Sequence, residues 1–192
     1  PGFGADLLYG PLPDCFPFFS DGAGFSVMAG NCGSQSGSSG GGKSSGKLAT
    51  IEHARKNVLA ALLNDGDCLI FLQSADVPVI STLQNLPINL STARSYPAWT
   101  ITVTPVTSNV PISAETFVNP NGAFFNPGQQ FQLPTGQILN SGSPVFQGFA
   151  LLHELGHATG ILPQDADRAT QDQNNTNLAK NCKKAIQSFG SK

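Results

Sequence analysis

The chain has 192 residues, of which only 11% are charged, and its formal net charge is −2. This length fits one folded domain with an extension at its N-terminus. The charge gives no basic patch for nucleic acid or an anionic membrane, and no apolar run reaches the roughly 18 residues of a membrane-spanning helix. We therefore expect a monomer with no nucleic-acid or membrane partner.

The chain contains an even number of cysteines: Cys15, Cys32, Cys68 and Cys182. Such a number in a charge-poor chain favours two disulfides and an oxidising compartment. Three pairings are possible, and we prefer Cys15–Cys32 together with Cys68–Cys182. This interpretation predicts a secreted or extracytoplasmic protein, whereas four buried free thiols in a cytosolic protein are the alternative.

The N-terminal segments have the composition of irregular chain. Residues 1–32 are rich in Gly, Pro and Phe without a sustained period, which predicts an irregular extension stapled by a disulfide. Residues 33–47 are mainly Gly, Ser and Lys and predict a flexible linker. Residues 37–44 within it match the phosphate-binding P-loop pattern G-x-x-x-x-G-K-[ST]. Because a Gly/Ser tract produces this match easily, we interpret it as linker and do not expect nucleotide binding.

Residues 48–192 are predicted to form the folded domain, which begins with helical patterns. Apolar residues at positions 51, 54, 58, 59, 62 and 63 predict a helix over Ala49–Asn64, with Thr50 near its start. Asp67–Gln73 is a short buried helix or strand, and Thr82–Leu86 fits one helical turn.

Several short strands are predicted next. Trp99–Thr104 alternates β-forming residues with a period of two and is the clearest strand. Glu115–Val118, Ala123–Asn126 and Gln137–Asn140 are shorter strands separated by turns of Asn, Pro and Gly.

The most informative segment is a nearly apolar run that ends in His153-Glu154-Leu155-Gly156-His157. Pro144 suits the first turn of a helix and Gly160 suits its end, so the run predicts a buried helix. Two histidines four residues apart lie on one helical face, about 6 Å apart along the axis, and can bind one metal ion. Glu154, rotated by about 100°, can reach water beside that metal. A last helix is predicted from about Asn175 to Phe189, which gives the α+β class.

A catalytic zinc site needs a third protein ligand. His53 is the remaining histidine and is expected on the surface of the first helix. No Glu follows Glu154, which argues against a thermolysin-like downstream glutamate. Pro163 stands where the metzincin pattern has its third histidine, and the single Met, Met28, lies upstream, so the Met-turn is missing as well. The third ligand should therefore be a carboxylate.

Three aspartates follow the motif. Asp165 lies eight residues after His157, just beyond the glycine turn, and is best placed to return beneath the helix. Asp167 is the next choice, while Asp172, Glu115 or a water molecule remain alternatives.

The motif His153–His157 resembles that of the zincin metallopeptidases, and the chain resembles the aspartate-liganded kind among them. It is similar to small secreted bacterial H-E-L-G-H putative metallopeptidases in its turn Pro163-Gln164-Asp165-Ala166 and its pair Asn181-Cys182. The resemblance covers roughly residues 50–185, but only the motif is specific. The G-T-x-x-D-x-x-Y-G segment usual in aspzincins is missing, which leaves the third ligand open.

The resemblance implies a zinc-dependent endopeptidase with a zincin-like fold, in which a small β-sheet packs on the motif helix. His153, His157 and Asp165 (or Asp167) would bind Zn²⁺, and Glu154 would act as general base on the zinc-bound water that attacks a peptide bond. The alternative is a catalytically silent zinc-binding or interaction module, which would need both histidines but not Glu154.

The resemblance also implies how a protein or peptide substrate is held. Arg168 and Tyr96 are the candidates for stabilising the oxyanion. An edge strand above the motif helix would bind the substrate by β-augmentation, and we expect that strand within Glu115–Asn126.

Overall fold

The computed structural model describes residues 41–73, 77–104 and 111–190. Its helices are α1 (Gly41–Asn64), α2 (Gly66–Leu72), α3 (Val79–Asn85), α4 (Pro144–Ala158), α5 (Arg168–Asn181) and α6 (Lys183–Ser188). Its strands are β1 (Ile88–Leu90), β2 (Ala98–Val103), β3 (Ser113–Val118), β4 (Gln130–Gln132) and β5 (Ile138–Asn140). Helices combined with small sheets confirm the predicted α+β class. None of the helices in these ranges is long and apolar enough to cross a membrane.

Helix α1 begins at Gly41, earlier than the predicted start at Ala49. The end of the predicted linker over residues 33–47 therefore belongs to this helix, as do the last four residues of the P-loop match, while residues 33–40 lie outside the described ranges. Thr50 lies inside the helix, where its hydroxyl donates to the carbonyl oxygen of Gly46 at 3.0 Å. The predicted apolar stripe faces the core, although Leu63 at its end is 66% exposed.

Helix α2 resolves the ambiguous segment Asp67–Gln73 as a helix. Asp65 precedes it, and one carboxylate oxygen of Asp65 accepts from the backbone N–H of Cys68 at 3.3 Å. The other oxygen accepts from the backbone N–H of Ala185 at 2.9 Å, in the first turn of α6. The buried Asp65 side chain therefore ties the two helices together.

The disulfide Cys68–Cys182 joins the same region and confirms that half of the predicted pairing. The other predicted pair, Cys15–Cys32, and the whole extension over residues 1–32 lie outside the described ranges.

Removing this disulfide should destabilise the domain strongly, because it closes a loop with a sequence separation of 114 residues. In the loop-entropy account such a crosslink restricts the unfolded chain, and its loss costs about 2–5 kcal/mol. We expect the variant carrying Cys68→Ala and Cys182→Ala to lose about this much free energy of unfolding in a chemical denaturation experiment. An unchanged denaturation midpoint would contradict the prediction.

The three-stranded sheet has the order β1-β3-β2, with β1 parallel and β2 antiparallel to the central strand. Trp99 of β2 pairs with Phe117 of β3, and their rings stack at 5.5 Å between centroids. The predicted strands Trp99–Thr104 and Glu115–Val118 are thus both present. Strand β2 begins and ends one residue earlier than the predicted Trp99–Thr104.

Two expectations about the following segment are wrong. Ala123–Asn126 forms a turn and not a strand, because the backbone N–H groups of Phe125 and Asn126 both donate to the carbonyl oxygen of Gly122 at 3.2 Å. Strand β3 lies in the centre of its sheet, so Glu115–Asn126 does not provide the edge strand. The edge strand that packs on α4 is β2.

The hairpin β4–β5 forms a separate two-stranded sheet, with Phe131 opposite Leu139. Its turn contains Gly136 at φ +84°, a conformation that favours glycine. Strand β5 lies within the predicted Gln137–Asn140, whereas β1 and β4 have only three residues each and were not predicted.

Helix α4 has the predicted bounds and the predicted burial. The Ser143 hydroxyl caps it by accepting from the backbone N–H of Phe146 at 3.2 Å, and Pro144 occupies the first turn. Gly160 follows its end at φ +77°. Twelve of its 15 residues are buried, and the helix packs against α1, α6, β2 and β3.

The C-terminal segment contains two helices where one was predicted over Asn175–Phe189. Helix α5 begins at Arg168 because the carboxylate of Asp167 accepts from the backbone N–H of Thr170 at 2.7 Å. It ends at Asn181, and α6 follows after Cys182.

Candidate metal centre

Helix α4 brings the two motif histidines together inside the protein. His153 and His157 are 6% and 4% exposed, and their Nε2 atoms lie 3.0 Å apart. Two ring nitrogens this close need a shared proton or a shared cation between them, since two lone pairs would repel each other.

The loop after α4 adds Asp165 to this pair. Leu162 turns the chain back, because its backbone N–H donates to the carbonyl oxygen of Gly156 at 3.0 Å. Asp165 Oδ2 then lies 2.9 Å from His153 Nε2 and 3.7 Å from His157 Nε2. The ligand atoms of these three side chains all lie within 4.8 Å of one another. Among the described residues, this is the group that could hold a metal ion.

The spacing of the three ligand atoms fits a small divalent cation. Ligands bound tetrahedrally at about 2.0–2.1 Å are about 3.3 Å apart, and the observed separations of 2.9, 3.0 and 3.7 Å lie on either side of this value. His157 Nδ1 lies 3.3 Å from the carbonyl oxygen of Leu162, which can only accept. The proton of a neutral His157 is therefore on Nδ1, and Nε2 keeps its lone pair for a metal.

The electrostatics of the cluster also favour a cation. Burial by itself raises the pKa of Asp165, but the hydrogen bond from His153 and the proximity of His157 outweigh it and hold the pKa well below its usual value. Burial lowers the pKa of His153, yet the hydrogen bond to Asp165 and the charges of Glu154 and Asp165 raise it overall. Both shifts favour a positive charge next to the Asp165 carboxylate, which is the charge that a bound cation would supply.

Glu154 lies beside this cluster but does not belong to it. Its side chain is buried, at 5% exposure, and its Oε2 has no hydrogen-bond partner among the described residues. Burial raises the pKa of Glu154, although the charges of His153 and His157 and a hydrogen bond from Thr100 act in the opposite direction. A buried carboxylate with one free oxygen and a raised pKa is suited to accept a proton.

The other residues considered as metal ligands are not part of this cluster. Asp167 caps α5, Asp172 is an exposed partner of Arg168 at 3.8 Å, and Glu115 accepts a hydrogen bond from Asn89 on the neighbouring strand. His53 is exposed on α1, as expected.

A cleft of about 970 Å³ opens above His153, Glu154, His157 and Asp165. Strand β2, the hairpin β4–β5, the loop after α4 and helix α5 form its walls. Tyr96 and Arg168 are exposed and line the same cleft.

Sequence reasoning missed the polar residues of α5 that surround Asp165. Asn174 donates to Asp165 Oδ1 at 2.7 Å, and Gln171 donates to Asp165 Oδ2 at 3.5 Å. The Asn175 side chain lines the same cleft and acts to raise the pKa of His153. These residues share one helical face with Leu178, so the spacing i, i+3, i+4, i+7 was the signal that could have identified them.

Substitution of the two candidate aspartates separates their roles. Asp165→Ala removes a carboxylate oxygen from the cluster, so we expect metal affinity to fall by more than the roughly 10–100-fold that loss of an outer-shell partner costs. Asp167→Ala should leave metal affinity unchanged and lower helix stability, because Asp167 is the N-cap of α5. Titration with a competing chelator gives the affinities, and the reverse order of effects would assign the ligand to Asp167.

Comparisons of the chain with protein-family models, with curated proteins and with solved structures found no match.

Proposed function

We propose that this chain is a zinc-dependent endopeptidase of the zincin type, with His153, His157 and Asp165 as metal ligands and Glu154 as the general base. The observation that carries the proposal is the coincidence of two features in one cleft. A compact group of two imidazoles and a carboxylate lies next to a buried glutamate with an unpartnered oxygen.

The ligand types support zinc among the divalent cations. Two imidazole nitrogens and one carboxylate oxygen form a set typical of catalytic zinc, which keeps one position for water or substrate. Bound zinc supplies Lewis-acid chemistry, since it polarises a carbonyl group and lowers the pKa of water.

Glu154 moves the proton in the proposed reaction. Its free Oε2 takes a proton from the attacking water and then passes it to the nitrogen of the leaving amine, so that the peptide C–N bond breaks without a free amide anion. The raised pKa of Glu154 suits it to hold that proton between the two steps. Tyr96 and Arg168 line the cleft and are the side chains proposed to stabilise the negative oxygen of the tetrahedral species.

Strand β2 is the proposed binding edge for an extended peptide. Val103 and Pro97, the residue just before the strand, accept hydrogen bonds from the chain on the β3 side. Because bonding alternates along an antiparallel pair, the backbone groups of Thr100 and Thr102 point to the opposite edge. A substrate strand can pair there by β-augmentation, across the cleft from the apolar side chains of the hairpin.

The disulfide fits an extracytoplasmic location, and we propose that the protein is secreted and meets its protein or peptide substrates there.

The direct test of this proposal is hydrolysis of an unfolded protein by the purified, zinc-supplemented chain, followed by mass spectrometry of the fragments. We expect new internal cleavage sites that disappear with a zinc chelator and return when zinc is added back. Zinc binding without any cleavage would instead favour the catalytically silent zinc-binding module.

A further inference from the structure

Helix α5 contains one polar side chain that is almost completely buried. Asn174 is 1% exposed and lies on the inward face of the helix, four residues before the buried Leu178. A buried amide is costly unless its polar atoms are hydrogen bonded. The Oδ1 of Asn174 has no partner among the described residues, so the bonds that its Nδ2 makes indicate why the amide is there.

Both hydrogen bonds of Asn174 go to the loop between α4 and α5. Its Nδ2 donates to Asp165 Oδ1 at 2.7 Å and to the carbonyl oxygen of Pro163 at 2.8 Å. One amide group therefore holds the loop at two points that are two residues apart. Two other side-chain hydrogen bonds of this loop are longer: Gln164 donates to Thr102 at 3.3 Å, and Gln171 donates to Asp165 at 3.5 Å.

The two oxygens of Asp165 have separate partners. Oδ1 faces Asn174, while Oδ2 faces the two imidazole Nε2 atoms. The bond from Asn174 thereby fixes the rotation of the carboxylate and leaves Oδ2 directed at the cluster. The Asp165 side chain is 22% exposed and belongs to an irregular loop, so without this bond it could turn to solvent.

We infer that Asn174 is a positioning residue that orients Asp165 for metal binding, a role that rests on the proposed metal site. With the carboxylate held in place by folding, metal binding does not have to order it, and affinity is higher for that reason. Outer-shell partners of metal ligands contribute about 10–100-fold to metal affinity, and we expect a loss in this range without the Asn174 amide.

The test compares Zn²⁺ dissociation constants, measured by competition with a chromophoric chelator, for the wild type and four variants. Asn174→Leu removes both donors at similar side-chain volume, and Asn174→Ala does so with a smaller side chain. Leu178→Ala disturbs the core contact of the same helix without touching the loop, and Gln173→Ala changes an exposed position. Circular dichroism of the metal-free proteins reports which variants are folded.

We expect both Asn174 variants to bind Zn²⁺ about 10–100-fold more weakly than the wild type. The Leu178→Ala variant should melt at a lower temperature yet keep the wild-type constant, because general destabilisation of α5 does not reorient Asp165. If the wild type binds Zn²⁺ and the Asn174 variants have the same dissociation constant, the role of Asn174 is overturned while the proposed metal site stands. Absence of Zn²⁺ binding by the wild type would overturn the proposed function and this role with it.

Discussion

Replacing Glu154 with Gln should abolish peptide hydrolysis while the metal content stays at the wild-type level. The amide keeps the shape of the side chain but cannot take a proton from water, and general acid–base catalysis of this kind contributes about 10²–10⁴-fold. The metal ligands are unaffected, because Glu154 is not part of the group formed by His153, His157 and Asp165. Cleavage of a fluorogenic peptide mixture, together with zinc analysis of the same samples, measures both quantities.

The chain offers a matched control, because Glu52 is one of its two other glutamates and is exposed on α1. The Glu52→Gln variant should retain full activity.

The Glu154→Gln variant should also be at least as stable as the wild type in the metal-free state at neutral pH. Burial raises the pKa of Glu154, so the carboxylate form is disfavoured in the folded protein and the neutral amide removes that cost. Full hydrolytic activity without Glu154 would exclude it as the base.

His157→Ala should remove the metal and, with it, the stability that metal binding adds. Ligand binding to the folded state contributes RT ln(1 + [L]/Kd), which is about 2.7 kcal/mol at a free zinc concentration 100 times the dissociation constant. We therefore expect zinc to raise the melting temperature of the wild type and not that of the variant. Calorimetry or thermal denaturation with and without zinc measures the difference.

His53→Ala is the matched control for this substitution, since His53 is an exposed histidine of α1 outside the cluster. It should keep both the zinc content and the zinc-dependent rise in melting temperature. Equal zinc affinity in His157→Ala and the wild type would contradict the assignment of His157 as a ligand.

The sequence was most informative about helix α4, because its signals are local. Pro144 and Gly160 mark its two ends, and the apolar run between them requires burial whatever packs against it. The positions of His153 and His157 on one face then follow from helix geometry alone. Their 3.0 Å approach is a consequence of that spacing and of the burial of both rings.

The sequence ranks Asp165 above Asp167 as the third metal ligand but does not decide between them. Both belong to the same short loop, and an aspartate can serve as a ligand or as a helix cap. The cap at Asp167 was not recognised because α5 was expected to begin at Asn175. The first turns of α5 are rich in Gln, Asn and Thr and carry little of the apolar period from which a helix is predicted.

The edge strand could not be identified because strand order depends on long-range pairing. The alternation in β2 and β3 predicts two strands, yet it does not indicate which is central. Strand β1, whose pairing places β3 in the centre, has only three residues and no recognisable pattern. The apolar residues Ala123 and Phe124 belong to a predicted strand, whereas the structure buries them in a turn.

Elemental analysis of the untagged, purified protein tests the central claim most directly. The account predicts about one zinc per chain after loading and dialysis, and loss of that zinc from the His157→Ala variant. A wild-type protein that holds no metal even after zinc is added would contradict it, because the two buried imidazoles and Asp165 would then share only a proton.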